Sequence, residues 1–336
     1  MSPEDVAGAS PAGRRLVALT GGSGFLGRHV AAVMAARGWR VRLLVRRWAP
    51  HPLLRDHQVE LVPGDLDDEA ALRRLTAGAD AVVHAAALVK ARHPRAFDHV
   101  NRGGTGRLAS ATRDTAPAIR RFVLVSSQAA RAPHLSPYAA SKRAAEEAAA
   151  GILGAGPLVV LRPPVIYGPG DTEGRALLRL ASRSVVPVTR APDLVLSLLH
   201  VRDVAAAIAA CCEPDAPNGS FELSDGGGGV SWPRLIIEAS RAQGRPPPRL
   251  VPVPDGLLHL AAWSNATFAA LLGHGTIFGP GKIREILHRD WRPALHANLP
   301  AERWRPAIAL ADGLRETVAW WRGTGGPPDH DGAARE

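Results

Sequence analysis

The sequence predicts an α/β fold in which a doubly wound parallel sheet is followed by a smaller C-terminal α/β domain. Three observations carry this. Short apolar runs alternate with helical stretches from Leu16 to Cys212. The first run enters a glycine-rich turn that opens a helix, Thr20-Gly21-Gly22-Ser23-Gly24-Phe25-Leu26-Gly27. Beyond Asp171 the rhythm loosens into turns, prolines and short segments. Regular alternation of this kind implies parallel strands joined by right-handed crossovers.

Leu16–Leu19 is a continuous apolar run, the mark of a strand buried on both faces. The helix that follows runs to Arg37, stops at Gly38-Trp39, and gives way to a second strand at Arg40–Val45. Val59–Val62, Asp80–Val83, Arg121–Val125 and Leu158–Leu161 are the next four strands. Helical patterns lie between them near Glu69–Leu75, Ala96–Thr112 and Tyr138–Leu153. Arg162–Asp171 is rich in turn residues and leaves the sheet. His200–Val204 leads into the alanine-rich helix Ala205–Cys212, and Ser220–Leu223 is a short strand. The Gly226–Gly229 run and Pro246–Pro248 are loops. No internal repeat is visible.

Gly21, Gly24 and Gly27 sit where a strand hands over to a helix, the context in which backbone N–H groups can approach a pyrophosphate. Their spacing is G-x-x-G-x-x-G, which gives moderate specificity by itself. Residues after the second strand decide which dinucleotide fits. A ribose with a free 2′-hydroxyl wants a carboxylate there. The sequence has Arg46-Arg47 instead, which suits a 2′-phosphate through forked, charge-assisted hydrogen bonds. NADP(H) is therefore favoured, with NAD(H) possible. Solvated surface arginines are the plain alternative.

Tyr138 and Lys142 stand four residues apart at the start of a predicted helix, so they share a face one turn apart. The chain has only two tyrosines, Tyr138 and Tyr167, and three lysines, Lys90, Lys142 and Lys282, so chance placement at this offset is rare. An ammonium beside a phenol favours the phenolate. Lowering the phenol by about three pH units needs about 4 kcal/mol, more than one exposed lysine supplies. The pair makes chemical sense beside a second positive charge, such as an oxidised nicotinamide.

These motifs fall in a telling order: Thr20–Gly27, Gly64-Asp65-Leu66, His84-Ala85-Ala86, Val100-Asn101 with Gly104-Thr105, Ser126-Ser127, Tyr138–Lys142, Arg162–Pro169 and His200–Val204. From roughly Arg14 to Asp225 the chain resembles the extended short-chain dehydrogenase/reductases of the NAD-dependent epimerase/dehydratase type. The resemblance implies a Rossmann-type sheet. It also implies that Gly21, Gly24, Phe25, Leu26 and Gly27 cradle the cofactor, with Asp65 and Leu66 at the adenine and Ala85-Ala86 lining it after the fourth strand. Tyr138 would be the general acid/base, and Lys142 would bind the nicotinamide ribose and hold the phenol's pKa down. Ser127, rather than Ser126, would hydrogen-bond the substrate oxygen. Asn101 would support the site, and Pro163, Pro164 and Val165 would pass the nicotinamide. His84 reads as a core residue without a proton-transfer role.

Two departures bear on the substrate. Ser127 is followed by Gln128-Ala129-Ala130-Arg131 where many nucleotide-sugar enzymes of this family carry Val-Tyr-Gly, and Pro163-Pro164-Val165 replaces their Tyr-Phe-Asn. The Pro-Pro-x-x-Tyr-Gly-Pro-Gly run looks more like hydroxysteroid dehydrogenase and flavonol-reductase relatives. The resemblance thus implies an NAD(P)-dependent oxidoreductase acting at a hydroxyl or carbonyl of a small or lipid-like molecule. A nucleotide-sugar epimerase or dehydratase is the alternative, as is a non-enzymatic dinucleotide sensor or accessory subunit.

The expected division is a cofactor domain at 13–166 plus 197–224 and a substrate-binding region at 167–196 plus 225–322, with disordered tails at 1–12 and 323–336. Composition excludes several classes. The net charge of +10 comes from scattered arginines without aromatic interleaving, so no nucleic-acid surface is expected. Cys211 and Cys212 are adjacent and form neither a disulfide framework nor a metal spacing. No metal, signal peptide or transmembrane span is expected, and the location is expected to be cytoplasmic. Leu257–Leu272 has apolar residues at helical spacing and is open to three roles: a core-packing helix, a pocket wall or a peripheral membrane contact. Lys282–Trp291 suggests no mechanism. In the family, helices after strands four and five pair across a two-fold axis, so a homodimer through the alanine-rich Ala139–Ala150 face is expected.

Overall fold

The fold is that of a computed structural model, which describes residues 15–47, 51–55, 57–91, 93–189, 195–254, 284–285, 288, 291–292 and 294–323. Its strands begin with β1 (Leu16–Thr20), β2 (Arg40–Val45), β3 (Val59–Pro63), β4 (Ala81–His84), β5 (Arg121–Val125) and β6 (Leu158–Arg162). The chain then makes β7 (Val165–Tyr167), β8 (Val185–Thr189), β9 (Val195–Leu196) and β10 (Leu198–His200), followed by β11 (Gly219–Glu222), β12 (Val230–Ser231) and β13 (Arg249–Val253). A seven-stranded sheet in the order β11-β6-β5-β4-β1-β2-β3 is parallel throughout. The order reverses between β1 and β4. Strands on either side of such a switch point splay their carboxyl ends apart and leave a crevice for a ligand.

Side-chain alternation splits the apolar runs between two faces. Val17, Leu19, Ala81 and Val83 join one core with α1 (Phe25–Ala36), through Val30 and Met34. Ala18, Val82 and Phe122 join the other with α2 (Glu69–Thr76), through Leu72 and Leu75. After β4 the chain forms α3 (Pro94–Phe97), a π-helical turn at Asp98–Gly103, and α4 (Gly104–Thr115), whose Leu108 lies on the second face. The expected single helix over Ala96–Thr112 is therefore interrupted. Next come α5 (Pro137–Leu153), capped by the Ser136 hydroxyl, α6 (Arg175–Ala181) and α7 (Val201–Cys211). The alanines of α7 let it pack closely on α1, with Ile208 fully buried in the first core. Cys211 and Cys212 end this helix inside the core, where burial pushes both thiols up, Cys211 to about 12.

Outside the main sheet, β7 pairs with β10, β8 with β13 and β9 with β12. These short sheets share a third core with α6, α8 (Trp232–Ala242) and α9 (Leu310–Gly323), centred on Tyr167, Val186, Ile236, Leu314 and Val318. Gly313 lies so close to β7 and β10 that a β-carbon there would be 2.5 Å from the Tyr167 hydroxyl. The Asp203 carboxylate accepts from the amides of Ala307 and Ile308, each at 3.1 Å, and ties the C-terminal stretch to α7. Gly323, expected in a disordered tail, instead closes α9. The tails at 1–12 and 324–336 and the apolar stretch Leu257–Leu272 lie outside the described residues. No described helix is long and apolar enough to cross a membrane.

Candidate active site

The glycine turn is built by close approach. Gly21 has φ +75° and sits so tightly on the end of β4 that a β-carbon would be 2.7 Å from the Ala86 nitrogen. At Gly27 a β-carbon would be 2.0 Å from the Gly21 carbonyl oxygen. Only glycine fits either position, and the result is a flat cradle opening onto α1. Its N-cap, Gly24, offers no side-chain hydrogen bond, and the first turn of α1 carries no acidic residue. By contrast, α2, α5 and α8 are capped by Asp68, Ser136 and Ser231. Helix α1 thus keeps its first amides and its positive dipole end for an anion. Pro169 and Gly170 cover this end, where the His29 ring meets the Pro169 carbonyl at 3.1 Å and Gly170 packs on the Phe25 ring.

Beneath the cradle runs a directional chain of buried hydrogen bonds. Thr105 donates to the Asn101 carbonyl at 2.6 Å, so its oxygen must accept from His84 Nε2–H at 2.9 Å. That leaves His84 Nδ1 to accept from the Thr20 hydroxyl at 2.6 Å, and Thr20 in turn accepts from the Ala86 amide at 3.3 Å. Burial, assisted by the Lys142 charge, pushes the imidazole down to about 3, so it stays neutral. His84 is the satisfied core residue expected of it. Asn101 extends the chain: its side chain accepts from the Leu88 amide at 2.7 Å and donates to the Leu88 carbonyl at 3.0 Å. Its remaining N–H donates to Ser141 Oγ at 2.9 Å, which donates to the Tyr138 carbonyl at 2.7 Å. Every polar hydrogen of the Asn101 amide is used, so its side chain braces the site.

Ser127, Tyr138 and Lys142 converge where β5 ends and α5 begins. Ser126 and Ser127 point to opposite sides, as neighbours leaving a strand do. Ser126 donates to Glu146, which also holds Arg162 in a two-pronged ion pair at 2.9 and 2.6 Å. Ser127 faces Tyr138, and its hydrogen bonding draws the phenol's pKa down. Burial outweighs it and, with the Glu285 carboxylate, raises the phenol to about 12. Lys142 is only 4% exposed and donates to the Val125 carbonyl at 2.7 Å. Burial lowers it to about 8, against the pull of Glu146. Lys142, expected to hold the phenol down together with a second positive charge, is not among the groups that set it in this structure; desolvation dominates both side chains and favours the protonated phenol.

The remaining predicted residues take varied positions. Ala85 and Ala86 lie against Gly21, and Leu66 packs on Gly104. Asp65 is exposed and accepts from the Asp67 amide at 2.8 Å, closing a local turn. Arg46 and Arg47 are exposed just past β2. Pro163 and Pro164 are buried, with the Pro163 carbonyl accepting from the Gln128 amide at 2.9 Å, whereas Val165 is 53% exposed. Sequence reasoning missed two residues. Arg28 follows the third glycine directly and is half-buried, and desolvation alone lowers its pKa with no acid to offset it. Its adjacency to Gly27 was the available signal. Glu285, from the stretch that suggested no mechanism, reaches the N-terminus of α5 and had no local signal. Among the described residues no group of three or more His, Cys, Asp or Glu is placed to hold a metal.

An uncapped glycine cradle at a Rossmann switch point, with a serine, tyrosine and lysine converging beside it, defines a dinucleotide-dependent oxidoreductase. The chain belongs to the NAD dependent epimerase/dehydratase family, whose model matches residues 17–223. It is 44% identical over 320 residues to a ceramide reductase of Caulobacter vibrioides (strain NA1000 / CB15N), covering 94% of this chain and 97% of that protein. Among solved structures, gox2253 superposes with a TM-score of 0.72 at 22% identity, over 93% of this chain and 99% of that one. The Thermus thermophilus UDP-glucose 4-epimerase in complex with NAD gives 0.64 at 24% identity, over 92% and 99%.

The buried chain has a measurable signature. Between about 3 and 6.5 the folded His84 binds fewer protons than the unfolded one, so its contribution to stability falls as pH drops through that window. His84→Gln should flatten the acid limb of urea-unfolding free energy against pH by up to about 1.4 kcal/mol per pH unit. The same slope in both proteins would show that His84 is not held neutral.

Proposed function

We propose that this protein is an NADP(H)-dependent reductase that converts a ketone of a ceramide-like lipid to the alcohol, with Tyr138 as the proton donor. The observation that carries this is the half-buried phenol of Tyr138, hydrogen-bonded with Ser127 and one helical turn from Lys142 at the mouth of the cradle, where desolvation raises it to about 12. The bound cofactor supplies the hydride to the carbonyl carbon. Ser127 donates a hydrogen bond to the carbonyl oxygen and orients it, and Tyr138 Oη delivers the proton that makes it a hydroxyl. Lys142, mostly ammonium at neutral pH, stabilises the phenolate left behind and binds the nicotinamide ribose. Asn101 acts behind them as a positioning residue.

Cradle geometry supports the dinucleotide. The glycine turn leaves room for a pyrophosphate, and the free amides of α1 match its charge. Arg46, exposed, and Arg28, half-buried, are cations suited to a 2′-phosphate. Asp65 and Leu66 would border the adenine, and Pro164 and Val165 the nicotinamide. Support for an apolar substrate comes from the large hydrophobic side chains left exposed near the strand ends, Val89 at 60% and Val165 at 53%, and from the ceramide reductase relative. A homodimer is proposed through the α5 face bearing Ala140, Ala144 and Ala148, which are exposed or half-exposed.

Tyr138→Phe should reduce turnover of a long-chain ketone at least about a thousandfold while NADPH affinity changes less than about threefold. Undiminished turnover overturns the assignment. Arg28→Ala combined with Arg46→Ala should weaken NADPH at least about tenfold and leave NADH within about twofold, read by fluorescence titration. Equal losses for both cofactors would remove the 2′-phosphate from the argument. Light scattering at micromolar concentration should return twice the chain mass of 35.4 kDa, and a monomer rejects the dimer.

A further inference from the structure

Two loops stand on either side of the glycine cradle. The one that leaves β4 begins with Ala85 and Ala86 packed on Gly21. Asn101 then clamps it at Leu88, accepting from the amide at 2.7 Å and donating to the carbonyl at 3.0 Å. The chain leads on to α3, whose Phe97 ring lies edge-on to Tyr138 with centroids 6.1 Å apart. The loop that leaves β7 covers the amide end of α1 with Pro169 and Gly170 and runs on to α6. Asp171 folds this second loop. It is 5% exposed, and its carboxylate accepts from the Glu173 amide at 2.9 Å. Its own amide donates to the Gly168 carbonyl at 3.1 Å, and it packs so closely on Gly174 that a β-carbon there would be 2.4 Å from Asp171 Oδ2.

Each loop is held firmly, and a side-chain contact joins them. Lys90, two residues past the clamp at Leu88, pairs with Glu173, two residues past Asp171. Neither side chain has another hydrogen-bond or ion-pair partner among the described residues. The two side chains are 37% and 46% exposed, so water and salt screen the pair and leave it weak. The kind of cation adds to this. In a chain with only three lysines, a lysine stands here, and its ammonium makes a point contact where a guanidinium would fork onto the carboxylate. The result is a tie between two firm loops that can open without unfolding either.

We propose that Lys90 and Glu173 form a strap that closes over a bound dinucleotide and sets how fast it leaves. The strap joins the loop that abuts the cradle to the loop that covers it, so a ligand held on the α1 amides departs when the two part. This rests on the reading of the cradle as a dinucleotide site. It does not depend on which dinucleotide binds: the strap acts on NADPH and NADH alike, whereas Arg28 and Arg46 are assigned to the 2′-phosphate. Weakness suits the task, because a reductase must release its oxidised cofactor in every cycle.

The test does not need turnover. Stopped-flow fluorescence of the full chain, with bound NADPH chased by excess NADP+, reads the dissociation rate. Lys90→Glu and Glu173→Lys should each raise that rate at least about threefold. The double variant K90E/E173K, which restores the pair in reverse, should return it to within about 1.5-fold of the parent. The sign at Glu173→Lys is decisive. This change adds a positive charge beside an anionic ligand, so long-range attraction alone would slow release, whereas an opened strap speeds it. NADH should give the same ratios. In protein without cofactor, amide exchange read by mass spectrometry should rise together at 86–91 and 168–174 in each single variant and fall back in the double one. Slower or unchanged release from E173K, or a double variant no closer to the parent than the singles, overturns the proposal. A parent that binds neither nucleotide would count against the proposed function itself, and unchanged exchange in the single variants would count against the strap.

Discussion

The hydrogen-bond chain through His84 is the constraint on which the site depends. It runs in one direction, from the Ala86 amide through Thr20, His84 and Thr105 to the Asn101 carbonyl, with a donor and an acceptor assigned at each step. Each such bond adds only about 1 kcal/mol net, but a buried partner left unmatched costs about 1–3 kcal/mol. The chain is therefore strong against partial disruption. It joins the carboxyl ends of β1 and β4, where the cofactor cradle lies, to the π turn that holds Asn101. From there the Asn101 amide reaches α5 through Ser141 and the Tyr138 carbonyl. The glycine turn and the first turn of α5 thus share one hydrogen-bonded frame.

Electrostatics in this frame oppose the simple picture of a lysine activating a tyrosine. Lys142 is buried and Tyr138 half-buried, and desolvation moves each toward its neutral form, the phenol upward and the ammonium downward. Glu146 shows the complementary strategy. It is buried but shared by Ser126 and Arg162, so its charge is spread over a network beneath the site instead of facing it.

Much of this could be read from the residues. Strands β1 to β6 are short, largely apolar runs, broken inside only by Arg42 in β2 and Glu60 in β3, and the glycine turn, Ser127, Tyr138 and Lys142 all lie in local patterns of fixed spacing. The parts that escaped detection did so for identifiable reasons. Strands β8 and β13 contain Pro187 and Pro252, which argue against strand by every local rule, and they pair only with each other at an edge. The π turn follows from where Asn101 must point, a tertiary demand without a sequence period. Asp65 closes a local turn after β3 by accepting from the Asp67 amide, a pattern aspartate favours. Glu285 is separated from Ser136 by 149 residues, and no periodicity connects a carboxylate to a helix cap across that distance.

The π turn at Asp98–Gly103 also makes the chain intolerant of changes in length. A helix advances about 100° per residue, so removing one residue here would rotate everything downstream by that angle. Leu108 and Ala109 would leave the second core, and Thr105 would turn away from His84. Between β4 and α4 the wide turn acts as a spacer of fixed count, and the reading frame of the helix keeps β1 and β4 in phase with α5.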